Sequence, residues 1–257
     1  MKTLKQSGFT LVEIAIVLVV IGLLLGGILK GQQLINSARV RNLADQNSGV
    51  QAAYYGFIDR FRNLPGDMSC TTAEAAVGAA VSPGACTVVV GGNGNGRIDT
   101  VAEAAAVWSH LSVAGFLSGT YDGLIADDSA TPTAAQYAGT VPNNGVPANA
   151  FQGAILLAHT SDYIDGNARG TVVRLGYSFG GNIPPPLLRD LDQKLDDGVA
   201  GSGVMRSAVS SVSGTQGTFG AITDYVVGTS NDCLNAVNPS TYNVDSNNQT
   251  CNAVFLY

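Results

Sequence analysis

From Phe9 to Leu29 the chain runs 21 residues with a single ionisable side chain, Glu13. As a helix this stretch spans about 31 Å, the thickness of a bilayer's hydrocarbon core. The leader before it, Met1 to Gly8, carries Lys2 and Lys5. Cationic flanks stay on the cytoplasmic side, which predicts a single inner-membrane crossing with everything after Lys30 exported. A cleaved secretory signal is the simpler reading of a basic flank and an apolar run. Such a signal has an apolar region of roughly 7–15 residues ending in an A-x-A-like site. Here the run is longer and continues into Leu29-Lys30-Gly31-Gln32-Gln33.

Glu13 needs its own explanation, because a carboxylate inside a membrane span costs roughly 2.5–3.5 kcal/mol on insertion scales. A plain anchor has no use for it. The segment Gly8-Phe9-Thr10-Leu11-Val12-Glu13 resembles the prepilin processing motif of type IV pilins and type II secretion pseudopilins. The resemblance covers residues 1 to about 35 strictly and extends through the long-helix design to about 62. It implies cleavage after Gly8 by a membrane prepilin peptidase, methylation of the new amine of Phe9, and retention of the apolar helix. Glu13 is then the partner of the Phe9 amine of a neighbouring subunit, so that each charge is neutralised inside an apolar filament core.

Apolar residues continue past the membrane span at Leu34, Ile35, Ala38, Leu43, Val50, Ala53, Tyr54, Phe57, Ile58 and Phe61. Their three- and four-residue spacing predicts one helix over 9–62, about 80 Å long, ended by Leu64-Pro65-Gly66. Gly22, Gly26, Gly27 and Gly31 each weaken the membrane half by roughly 0.5–1 kcal/mol relative to alanine. In filaments of the resembled family this segment partly melts, and Gly22 is a place for that; close packing of small residues against another helix is the alternative.

The charge splits along the same line. Residues 1–62 hold seven Lys/Arg against three Asp/Glu, and residues 63–257 hold six against sixteen. An acidic head repels phosphate backbones, so no nucleic-acid partner is expected for it. Short helices are expected at Thr71-Thr72-Ala73-Glu74 and Thr100-Val101-Ala102-Glu103, each opened by a capping box and lying on the surface of a sheet. The second carries Val101, Ala105, Trp108, Leu111 and Gly115 on one side. Strands are expected at 154–158, 172–179 (Val173, Leu175, Tyr177 and Phe179 inward), 221–227 and 253–257. A helix begins at Pro184-Pro185-Pro186, carries Leu187, Leu188, Leu191 and Leu195, and ends at Asp196-Asp197-Gly198. Segments 118–150 and 198–218 read as long surface loops. The resulting fold class is α+β: a cleaved leader (1–8), a helical spine, half transmembrane (9–62), and a single exported head with an antiparallel sheet of about four strands (63–257).

Catalytic residue types are sparse, and no enzyme is expected. His159, Ser161 and Asp162 are adjacent in sequence and cannot readily converge on one reacting atom, and there is no G-x-S-x-G elbow. His110, beside Trp108, reads as an exposed helix residue. The acidic group Asp190, Asp192, Asp196 and Asp197 is either a cation site or, more simply, a solvated helix end. Four cysteines and no CxxC exclude metal-finger and thioredoxin readings. In an oxidising compartment four cysteines allow three pairings. The pairs of near neighbours are Cys70–Cys86 and Cys233–Cys251, each worth about 3 kcal/mol for a loop of that size. The second loop is similar to the disulfide-bounded surface loop of many pilins.

Gly92-Asn93-Gly94-Asn95-Gly96-Arg97-Ile98-Asp99 looks like the first half of an EF-hand loop. Asn93, Asn95 and Asp99, with Asp67 from across the head, would then hold Ca2+. Gly91 and Ala102 stand where the first ligand and the bidentate glutamate belong, and Glu103 is explained by its capping box. An Asn-Gly turn leading into a capped helix is the other reading. No cofactor is otherwise required.

The function implied by the resemblance is a structural subunit of a pilus or pseudopilus, partnered by the prepilin peptidase/methyltransferase and by other pilin subunits. The alternative is a minor pilin or a membrane-anchored, adhesin-like binding module. The head of about 195 residues is larger than that of many major pilins, which gives the alternative weight.

Overall fold

The computed structural model describes residues 11–78, 81, 91–123, 145–208, 233–235, 238, 240–246, 249 and 251–257. Contacts divide the chain into two compact units, Met1–Arg39 and Val40–Tyr257. Helix α1, Leu11–Phe61, is continuous for 51 residues. Its segment in the first unit is long and apolar enough to cross a membrane and has none of that window buried.

In the second unit the remaining turns of α1 bury Val40, Leu43, Asn47, Val50, Ala53, Tyr54 and Phe57. The alternating three- and four-residue steps give one helical face to the core. Leu34, Ile35 and Ala38, expected on the same stripe, are exposed instead. Helix α1 stops where expected. Arg62 takes φ 55°, and after Pro65 the chain turns at Gly66 with φ 88°. A Cβ at Gly66 would lie 2.5 Å from the Glu103 carbonyl oxygen, so only glycine fits the turn.

Helix α2, Cys70–Ala76, is capped by Ser69, whose side chain accepts from the Thr72 N–H. The cap is therefore Ser69 and not Thr71, because the helix begins two residues earlier than the Thr71–Glu74 pattern implies. Helix α3, Val101–Val113, has the expected Thr100–Glu103 capping box. It is no surface helix: every residue from Val101 to Leu111 is buried. Its many alanines permit this, since small side chains let neighbouring elements approach on all sides.

Among the described residues six strands follow: β1 Leu156–Thr160, β2 Ile164–Asp165, β3 Ala168–Arg169, β4 Arg174–Ser178, β5 Met205–Ser207 and β6 Ala253–Leu256, with helix α4, Pro185–Leu195, between β4 and β5. Strands β1, β4, β6 and β5, in that order, form a four-stranded sheet, antiparallel throughout. A separate two-stranded hairpin pairs β2 with β3. Register is fixed by Leu156 opposite Ser178, Tyr177 opposite Phe255 and Met205 opposite Phe255.

Several expectations need correction. Ala154 lies outside β1 and instead bridges to Ala148. Val172 and Val173 are exposed and precede β4. The ladder of β6 along β4 ends at Gly176, extended by one bond from the Tyr257 N–H to the Leu175 carbonyl at 2.9 Å. Gly176, Tyr177 and Ser178 are all buried, because a central strand covered on both faces has no inward–outward alternation. Strand β5 falls in a segment read as loop; it exists through its pairing with β6. The strand expected at 221–227 lies outside the described residues. Helix α4 begins at a proline, as expected, and buries Leu188, Leu191 and Asp192.

The core runs from Phe57 of α1 through Trp108 and Leu111 of α3 to Leu156, Tyr177 and Phe179 of the sheet. Helix α3 packs on β1. The loop leading into α3 is tied to β1 by a reciprocal pair: the His159 N–H donates to the Ile98 carbonyl at 2.7 Å, and the Ile98 N–H donates to His159 Nδ1 at 2.9 Å.

Candidate functional site

Glu13 lies in the apolar stretch at the start of the described part of α1. Around it Leu11 is 89% exposed and Val12 66%, so the carboxylate sits on an apolar surface. Gly8 and Phe9, the residues of the expected processing site, lie outside the described residues.

The structure gathers Asp67, Asn93, Asn95 and Asp99 into one small assembly. Asp67 accepts two backbone N–H groups, from Asn95 at 3.0 Å and from Gly96 at 2.8 Å. Asn93 Oδ1 accepts the Asn95 N–H at 2.9 Å, and Asn95 Oδ1 accepts the Arg97 N–H at 2.8 Å. The Asn95 amide donates to Asp99 Oδ2 at 3.1 Å. A Cβ on Gly92 would fall 2.3 Å from the Asp67 Cα, so the two segments meet in direct backbone contact. A cleft of about 450 Å³ opens beside them, lined in part by Arg62, Asp67, Asn93 and Gly94.

Glu103 does more than cap its helix. Its Oε2 takes the Asp99 N–H at 2.8 Å and the Thr100 N–H at 3.0 Å, and its Oε1 takes the Asn93 N–H at 3.1 Å. Burial raises its carboxyl above the ordinary value, opposed by those three backbone donors. The capping pattern showed one of these bonds; the other two depend on how the loop folds back.

The histidines do not assemble a catalytic group with Ser161. His159 Nδ1 is occupied by Ile98, and burial, with Arg97 nearby, lowers its basicity. Asp162 is fully buried, and its own N–H donates to Thr160 Oγ1 at 2.8 Å. His110 is buried, contrary to the expectation of an exposed residue. Its Nδ1 accepts the Gly66 N–H at 3.0 Å, which ties the turn after α1 to α3. Burial drives its pKa from 6.5 down to about 4.

The acidic end of α4 is not a solvated face throughout, since Asp192 is fully buried. Burial raises its carboxyl from 3.8 to about 7, with the Tyr242 hydrogen bond pulling the other way. Cys233 and Cys251 are joined, their Cα atoms 5.6 Å apart. Cys70 is disulfide-bonded, and its expected partner Cys86 lies outside the described residues.

An exposed apolar N-terminal helix, long enough to cross a membrane, precedes an α+β head. Residues 3–29 match the prokaryotic N-terminal methylation motif, the type IV pilin and pseudopilin signature. That motif points to a structural subunit. No curated protein and no solved structure matches the chain.

Proposed function

We propose that this protein is a structural subunit of a type IV pilus-like filament. It is cleaved after Gly8 by a prepilin peptidase, methylated on Phe9, anchored in the inner membrane with its head exported, and polymerised through α1. It is not an enzyme. The observation that carries this reading is the methylation motif at residues 3–29, set on a helix whose large apolar side chains, such as Leu11 at 89% and Leu23 at 75%, face outward. A surface of that kind needs lipid or other subunits to cover it.

Glu13 is the assembly residue in this scheme, receiving the Phe9 amine of a neighbouring subunit. The size of the head supports a second reading, a minor subunit or an anchored binding module. The deciding experiment is intact-mass and N-terminal analysis of protein recovered from cells, with electron microscopy of the sheared surface fraction. A chain that starts at Phe9, carries one added methyl group and dominates the filaments supports the major-subunit reading. The same processing with scarcity in the filaments selects the minor subunit. A chain that starts after residue 30, or that keeps Met1 to Gly8 when assembled, removes both.

A further inference from the structure

At the end of α4 the chain turns through Asp196, Asp197 and Gly198 toward β5. One carboxylate oxygen from each of Asp192, Asp196 and Asp197 lies within 4.8 Å of the other two. The Asp192 side chain is fully buried. Its Oδ2 accepts the Tyr242 hydroxyl at 2.9 Å, whereas its Oδ1 is buried with no hydrogen-bond partner. The Gly198 N–H also favours the ionised carboxylate.

Asp196 and Asp197 are held in place by the loop. Asp196 Oδ2 accepts the N–H groups of Val204 and of Met205, the latter at 3.1 Å. Asp197 takes the Val199 N–H at 2.8 Å and the Ser202 hydroxyl at 2.5 Å. Among the described residues no lysine or arginine forms an ion pair with any of the three. Three carboxylates are thus converged by neutral donors, with one buried oxygen unsatisfied and, among the described residues, no ion-paired cation to offset their repulsion.

We propose that Asp192, Asp196 and Asp197 form a binding site for a hard divalent cation, calcium above all. The donor set is all oxygen, which disfavours zinc and copper. Calcium bonds oxygen at about 2.3–2.6 Å and so accommodates ligands as much as about 4.8 Å apart, while magnesium, at about 2.0–2.1 Å, requires a tighter cage. The ion occupies the vacant coordination of Asp192 Oδ1, and water completes its shell.

Its position explains what it would stabilise. Asp192 belongs to α4, and Asp196 holds the entry to β5. Tyr242 lies within the loop closed by Cys233 and Cys251 and bridges to Leu234. Calcium therefore fastens a helix end, an edge strand and the disulfide loop to one another. The site is independent of the filament reading and of the Asn93–Asp99 loop.

The test uses the full-length protein in detergent micelles, stripped with chelator and titrated with calcium chloride by calorimetry and with terbium by tyrosine-excited luminescence. Binding in the range of extracellular calcium modules, a Kd of about 10⁻⁴–10⁻³ M, is expected. Asp197→Asn and Asp192→Asn should each weaken it at least about tenfold, as loss of a charged ligand does, while Asp99→Ala leaves it in place. Asp197 is exposed, so its variant decides the matter if Asp192→Asn fails to fold; Trp108 fluorescence reports folding. No calcium binding by the wild-type chain up to several times that concentration overturns the proposal. Binding that Asp197→Asn leaves unchanged overturns it equally.

Discussion

The Tyr257 hydroxyl donates to Asn47 Oδ1 at 3.0 Å, joining residues 210 positions apart. Asn47 is the one polar member of the face that α1 buries in the head, and Tyr257 stacks on Tyr177 of the sheet. The pair therefore sets α1 against the sheet at a defined position. Burial also raises the Tyr257 phenol well above its ordinary value, keeping it a donor at any physiological pH.

Tyr257→Phe should destabilise the protein by about 1–3 kcal/mol, because it leaves a buried amide acceptor without its donor. Each kcal/mol corresponds to about 2–4 °C in Tm at this size. Thermal unfolding of the full-length chain in detergent, followed by Trp108 fluorescence, measures it. Adding Asn47→Leu to Tyr257→Phe should recover part of the loss. An unchanged Tm in the single variant would dismiss the pair as an anchor.

His110 makes stability depend on pH. Its folded pKa, about 4, lies below the ordinary 6.5, so the unfolded chain binds the proton first as pH falls. The stabilisation is complete above pH 6.5, declines from there to about 4, and is then exhausted, for a total of about 3 kcal/mol. Glu103 and Asp192, whose carboxyls are raised by burial, act in the opposite sense, so the effect is read as a difference between chains. The loss of Tm from pH 7 to 4.5 should be larger in wild type than in His110→Gln. Equal losses would show that His110 does not titrate as described.

Removing the Asp67 carboxylate should cost about 3–6 kcal/mol, since two charge-assisted hydrogen bonds to the Asn95 and Gly96 N–H groups are lost at about 1.5–3 kcal/mol each. Calcium at this loop remains our proposal, with Asn93, Asn95, Asp99 and Asp67 as ligands. If it binds, millimolar calcium raises Tm through preferential binding to the folded state, and that part of the rise survives Asp197→Asn and vanishes with Asp99→Ala. A calcium response indifferent to Asp99→Ala leaves the Asn-Gly turn as the whole explanation.

Glu13→Val makes the span more apolar while removing the proposed partner of the Phe9 amine. The variant should insert and be processed normally, yet yield few or no filaments. Quantifying sheared filaments against membrane-bound processed protein provides the check, and a normal yield would eliminate the charge pair.

Local chemistry in the sequence determined α1, its stop before Pro65 and Gly66, the Thr100–Glu103 capping box, the proline start of α4 and the methylation motif. These features depend on spacings of a few residues, which the chain carries wherever it folds. Tertiary structure alone decided that β5 is a strand, that α3 is buried on every side, that Asp67 closes the Asn-Gly loop and that Asp192 is enclosed rather than solvated. A three-residue strand has no periodicity of its own and exists because β6 offers it hydrogen bonds. A carboxylate's environment is likewise set by segments distant in sequence: Asp192 faces Tyr242, Asn47 faces Tyr257, and no local pattern encodes where such partners meet.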